Sequence, residues 1–323
     1  MTTTPHDALF KSTFEAPGRA AELLRAALDP RLVARVDWAS LTLAQSSFID
    51  EHLRAQQADL LFSVRLGKHN ICPYLLLEHK SSPEHWTVYQ LVKYVLRIWD
   101  DRRDDDRRRR RLPPIVPVVL YHGTRPWNAP TEFSRLVDIP PGLEFLRDTT
   151  PRFKFVLVDL QALDDEALRT HGASPAVRLT LLALTRTRQA DDLQALVRGW
   201  IHLLRQLSAE PGGEAVIRSV FSYLYLVRGR EACKRIDLQA LNFPEGEPIM
   251  ETMADYLIKK GRKEGRKEGR QEGHKEVFLR LLQRKFPQVS AARVAAAEAA
   301  DIATIDRWSD QLLTATTVDE VFV

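Results

Sequence analysis

Residues Ala58 to Leu66 and Ile71 to Lys80 read ADLLFSVRL and ICPYLLLEHK, joined by Gly67-Lys68-His69-Asn70. Both stretches are short and apolar, and the link carries the Gly and Asn that hairpin turns favour. Tyr74-Leu75-Leu76-Leu77 is apolar on both faces, which predicts a strand inside a sheet. Side chains alternate along a strand, so Glu78 and Lys80 share one face and His79 points to the other. A short turn makes the pair antiparallel. Counting outward from it brings Asp59, Glu78 and Lys80 to the same end of the sheet, where a one-residue slip would send Asp59 to the opposite face.

Around this hairpin the pattern is mixed. A helix is predicted over 6–28, interrupted near Pro17-Gly18, and a weak strand over 36–43. Ser81-Ser82-Pro83-Glu84 starts a helix that runs through Trp86, Tyr89, Leu91, Val95 and Trp99 and ends in the charge block 100–111. Further buried strands are predicted over 113–121 and 153–160. This order predicts an α/β fold with a mixed sheet flanked by helices. From about Ser174 the apolar spacing is helical, giving a mostly α-helical C-terminal half. Gly261, Gly265, Gly269 and Gly273 recur every fourth residue in GRKEGRKEGRQEGHKE. The organisation read from these signals is a first domain over 1–165, a helical extension over 166–248, a Gly-repeat charged helix or linker over 249–276, and a small helical domain over 277–323.

Composition narrows the function classes. The 323 residues are 44% hydrophobic and 28% charged, which excludes a wholly disordered chain. Formal net charge is only +4, so contact with nucleic acid has to come from local clusters. Cys72 and Cys233 cannot build a disulfide framework and fit a reducing cytosol. No apolar run reaches the roughly 20 residues of a membrane span, and the first ten residues lack the order of a signal peptide. The chain is therefore expected to be soluble and cytoplasmic. Neither a zinc signature nor a GxxxxGK[ST] phosphate loop occurs, so no nucleotide cofactor is expected.

Asp59, Glu78 and Lys80 together suit one chemistry. Two carboxylates offer the hard oxygens that hold Mg²⁺ or Mn²⁺. Such an ion lowers the pKa of water and stabilises charge building on phosphorus oxygens. Lys80 can orient the attacking water. The implied reaction is in-line hydrolysis of a phosphodiester. A Glu-x-Lys pair alone is an ordinary salt bridge or solvated strand end. Three features lift this one: Asp59 on the partner strand, apolar strands on both sides, and Gln90 and Tyr94 one helical turn apart on the next helix.

Asp59, Glu78-x-Lys80 and Gln90-x-x-x-Tyr94 resemble the PD-(D/E)XK nuclease superfamily, including the QxxxY helix of its RecB-like branch. Closer still, His6-Asp7-x-Leu9-Phe10-Lys11, Ser47-Phe48-Ile49-Asp50, Ala58-Asp59-Leu60-Leu61, Leu76-Leu77-Glu78-His79-Lys80-Ser81, Tyr121-His122-Gly123 and the GRKEG tail resemble the Rpn family of recombination-promoting nucleases, also described as YhgA-like transposases. This resemblance covers essentially the whole chain. It implies a restriction-endonuclease-like sheet and a metal-dependent DNA endonuclease linked to recombination or mobile elements. In it Asp59 and Glu78 are the metal ligands and Lys80 is the motif lysine. Ala58 stands where the superfamily signature has Pro. Where relatives often carry Gln, this chain has Lys80, the superfamily norm. A DDE transposase needs three carboxylates and no lysine, so hydrolysis is favoured over strand transfer.

The remaining features keep two readings each. Asp7 either lends a carboxylate to the metal or is a helix N-terminal acid paired with Lys11. Asp50 and Glu51 read as a loop before the site strand. Gln90 either contacts the attacking water or a nucleic-acid base, or faces solvent. His122 ends a buried strand and borders the active end of the sheet. The Arg/Asp block 100–111 either approaches a DNA backbone or is a solvated loop. Four glycines in a helix cost about 4 kcal/mol relative to Ala. A close helix–helix contact, and hence a homodimer through Gly261–Gly273, would offset that cost; the alternative is a flexible charged linker. Two other functions stay open: an inactive interaction or oligomerisation protein that retains a nuclease fold, and an RNA-directed nuclease of toxin or defence type.

Overall fold

The computed structural model describes residues 4–44, 60–67, 74–105, 110–162, 173–243 and 246–322, with only the backbone at 104, 105, 251–268, 270 and 271. Asp59, Asp50, Glu51, His69 and Cys72 lie outside these residues. Proline sets where the first three helices begin. α1 (Pro5–Phe14), α2 (Pro17–Ala27) and α3 (Pro30–Val33) each carry it in the first turn, where its missing N–H is no loss. Thr4 and Asp7 close a capping box on α1. The Asp7 amide donates to Thr4 Oγ1 at 3.2 Å and the Thr4 amide to Asp7 Oδ2 at 3.0 Å.

Five strands form one sheet in chain order: β1 (Val36–Leu43), β2 (Leu60–Leu66), β3 (Tyr74–Lys80), β4 (Ile115–Tyr121) and β5 (Val156–Asp159). β1, β2 and β3 are antiparallel, whereas β3, β4 and β5 are parallel. The sheet is therefore mixed, as the alternation of elements predicts. The register Leu60 with Leu77 and Leu61 with Leu76 joins β2 to β3. Parallel strands need a crossover connection, and between β3 and β4 it is helix α4 (Thr87–Asp105).

α4 covers one face of the sheet. Its Val88, Leu91, Tyr94 and Ile98 pack with Tyr74 and Leu76 of β3, Leu61 of β2 and Val119 of β4 in one buried cluster. Each fully buried Leu or Phe here stabilises by roughly 1.5–3 kcal/mol. α4 ends at Asp105, inside the charge block where the sequence places its end, with Asp100 and Arg103 pairing at 3.6 Å along its surface.

The other face carries α1, whose Phe10 ring lies 4.6 Å from the His79 ring. α1 also packs on α5 (Pro175–Arg186) and α7 (Gly213–Arg228), with α6 (Leu193–Ser208) against both. Thr13 and Thr180 hydroxyls meet at 2.9 Å in that buried layer. The short α8 (Arg230–Cys233) follows, and its Cys233 thiol is buried, which pushes its pKa up to about 11.

Helix α9 (Gly246–Lys285) contains the whole Gly repeat. The chain divides into two compact units, Met1–Met253 and Ala254–Val323. In the second, Phe278 and Leu282 of α9 pack with Ala297 of α10 (Ala291–Ala299) and Ile305 and Leu312 of α11 (Ile302–Thr314). Among the described residues no helix is long and apolar enough to cross a membrane.

Candidate active site

The C-terminal end of β3 carries two charges that the hydrophobic strand does not need for folding. Glu78 and Lys80 alternate with His79, so they point toward α4, and the parallel register sets them beside Val119 and Tyr121 of β4. Lys80 Nζ lies 2.8 Å from Glu78 Oε1, with the two side chains only 16% and 13% exposed. It also reaches Glu84 Oε2 at 3.4 Å. A shielded pair of this kind interacts more strongly than one on an open surface. Among the described residues no group of three or more His, Cys, Asp and Glu side chains could hold a metal ion. Leu60 is the first described residue of β2, and its partner Leu77 is the residue before Glu78.

α4 returns antiparallel to β3, so its first turns lie over the Glu78–Lys80 end and its last turns over Tyr74. The far end shows this directly: Arg102 sits 4.9 Å over the Tyr74 ring, and the Trp99 indole N–H donates to Pro113 O at 2.8 Å. Gln90, half-buried, is one turn before Tyr94 on the side that turns inward. Tyr94 is 5% exposed and belongs to the packed core. Asp159, a carboxylate not singled out in the sequence, closes β5 in register with Tyr121, and its Oδ1 accepts from the Gln161 amide at 2.9 Å. Its only sequence signal is an acid at the end of an apolar run.

Asp7 and His122 lie on the opposite face. His79 Nε2 is 2.8 Å from Asp7 Oδ1, and its Nδ1 is 3.3 Å from His122 Nε2. His6 Nδ1 meets the Tyr223 hydroxyl at 3.0 Å, and Arg188 donates to the His122 carbonyl. Of the two readings of Asp7, the helix N-terminal acid is the one observed: its carboxylate is taken by the α1 cap and by His79. His122 directly follows β4, at the strand end as expected, but faces away from Glu78 and Lys80. Burial pushes Asp7 up, yet hydrogen bonds from His79 and Thr4 outweigh it and hold the group at about 2. Burial, reinforced by Arg188 and His79, pushes His6 down to about 4. Burial, reinforced by His79, His6 and Arg188, pushes His122 down to about 2.

These shifts predict acid sensitivity. A histidine whose folded pKa is depressed contributes its full stability above its unfolded value near 6.5 and loses it as pH falls toward the folded value. Asp7 acts in the same direction in a lower window, its contribution being lost only as pH falls below about 3.8 toward the folded value near 2. Between pH 6.5 and 4.5 the histidines dominate this cluster. The unfolding free energy is expected to fall across that window, by up to about 1 kcal/mol per pH unit for His122 and less for the partly exposed His6, and the thermal midpoint falls with it. His122→Gln should flatten the slope; an unchanged slope in a folded variant would contradict this account.

The family model described as "Putative transposase, YhgA-like" matches residues 4–214. Recombination-promoting nuclease RpnD of Escherichia coli O157:H7 is 31% identical over 238 residues, 71% of this chain and 84% of its own. Recombination-promoting nuclease RpnA of Escherichia coli K12 is 27% identical over 81% of this chain and 86% of its own. The inactive recombination-promoting nuclease-like protein RpnE of the same strain is 28% identical over 88% of this chain and 92% of its own. No solved structure matches. With the match spanning the sheet, α4 and the helices beneath, the chain belongs to the YhgA-like transposase family.

Proposed function

We propose that the chain is a metal-dependent DNA endonuclease that hydrolyses phosphodiester bonds in recombination or mobile-element biology. Asp59 and Glu78 are its metal ligands, and Lys80 and Gln90 its other catalytic residues. The observation that carries this is the close Glu78–Lys80 pair at the C-terminal end of a parallel strand, beneath the first turns of the crossover helix. Open α/β sheets place their ligands at such ends. Two relatives named as nucleases support the same reading.

The donor set fits a hard divalent cation. Glu78 contributes carboxylate oxygens in a site only 13% exposed, and Asp59 is one residue beyond the last described pair of β2 and β3. Bound there, Mg²⁺ or Mn²⁺ supplies charge neutralisation and acidifies water. Lys80 orients the attacking water and offsets negative charge at the phosphorus. Glu78 holds Lys80 in place for that role. Gln90 contacts the water or the nucleic acid from α4. The active chain is a homodimer through Gly261–Gly273. This draws support from the helical backbone of α9 and from the open space around Gly269 and Gly273, where an added Cβ meets nothing within 4 Å.

Plasmid nicking with Mg²⁺ or Mn²⁺ tests the proposal. Wild type is expected to nick only with metal, and Asp59→Ala to stop it. Nicking that survives Asp59→Ala would overturn the site. RpnE is named inactive. No nicking by wild type with either metal would place this chain with RpnE as an interaction protein.

A further inference from the structure

The turn that leads into α4 and the outer face of that helix bear side chains that the hydrolytic reading does not use. Trp86 and Tyr89 are 56% and 44% exposed. Trp86 is the exposed member of the six tryptophans, all within the described residues. The two rings meet edge-on at 6.1 Å, and the His85 ring meets Trp86 at 5.1 Å. Lys93 places its ammonium 5.4 Å over the Tyr89 ring, and Arg97 is exposed one turn further on. Core packing does not explain these rings, because α4 seats itself on the sheet through Val88, Leu91, Tyr94 and Ile98. Large aromatic side chains left in water are costly and mark binding surfaces.

We propose that Trp86 and Tyr89 form a stacking platform for unpaired bases of single-stranded DNA, with Lys93 and Arg97 holding the adjoining phosphates. This rests on the reading of Glu78 and Lys80 as a phosphodiester-cleaving site. Three observations select this occupant. The exposed Trp86 ring presents a π-face on which bases stack irrespective of sequence, with Tyr89 set edge-on beside it. Next to them the helix presents cations, and its Asp100 is paired with Arg103, so the face complements phosphate. Finally, the platform begins six residues after Lys80, at the end of α4 that overlies the site. A strand stacked on the rings therefore passes the Glu78–Lys80 pair. The enzyme would thus act where DNA is frayed, looped or displaced, and the platform would supply affinity without reading sequence.

The test uses the full chain in metal-free buffer, with fluorescence anisotropy of a labelled oligothymidylate and of the matching abasic backbone. Wild type is expected to prefer the base-bearing strand. Trp86→Ala combined with Tyr89→Ala should weaken that strand roughly tenfold or more and leave the abasic strand unchanged, while Trp86→Phe retains most of the preference. Trp86 fluorescence should be quenched by the base-bearing strand only. Both side chains are exposed, so alanine leaves the core intact. Equal binding of both strands by wild type, or by the double variant at wild-type strength, would overturn the platform. So would a double variant that alters oligomeric state while DNA binding stays constant, which would assign the face to a second copy. Plasmid nicking run alongside separates the two claims. A chain that nicks but ignores bases loses only the platform; one that prefers bases and never nicks loses only the hydrolase reading.

Discussion

Glu78→Gln is expected to lower metal-dependent nicking by more than about 100-fold, the loss that removal of an outer-shell partner of a metal site already reaches. The substitution keeps the side chain's volume and removes its charge. It therefore takes away both the proposed metal ligand and the anion 2.8 Å from Lys80 Nζ. Lys80 keeps a partner in Glu84 at 3.4 Å, so the fold is expected to survive. Lys80→Ala should cost about 10²–10³-fold, the scale of one lost electrostatic contact to the transition state. Glu84→Gln, at a more exposed side chain, should cost far less. Nicking rates of the three variants, each checked for a native thermal midpoint, read this order. Near-wild-type activity in Glu78→Gln would contradict the assignment.

The largest stability effect is expected from Phe10→Ala. Phe10 is fully buried, with ring centroids 5.3 Å from Phe14 and 4.6 Å from His79. With Asp7, it is a side chain by which α1 meets the face of β3 opposite Glu78. Truncation removes the ring and leaves a cavity that the sheet cannot collapse to fill. The expected loss is about 3–5 kcal/mol, read as a lower urea midpoint with an unchanged slope. Phe10→Leu should recover much of it. A loss below about 1 kcal/mol would mean that α1 does not anchor the sheet.

Much of this architecture is legible in the chain because its signals are local. The strand at 36–43 and the hairpin strands follow from alternation and from the length of apolar runs, and the observed β1 has the expected bounds. Glu78 and Lys80 share a face by strand geometry alone. The expected break near Pro17 separates α1 from α2. What sequence reasoning did not reach depends on packing between distant segments. Asp7 and His79 meet only because α1 folds beneath β3, and nothing in either segment announces it. The same holds for His6 and Tyr223, which pair through the docking of α1 on α7. Tyr94 reads equally as a site residue or a core residue, since one helical face serves both, and the structure buries it against Leu76.

A crystal of the full chain soaked in Mn²⁺, with diffraction recorded at a wavelength where manganese scatters anomalously, tests the central claim most directly. The account predicts an anomalous peak at coordination distance, about 2.2 Å, from carboxylate oxygens of both Asp59 and Glu78, and its disappearance in Glu78→Gln crystals. A peak bound elsewhere, or none at Glu78 in a well-ordered wild-type crystal, would contradict it.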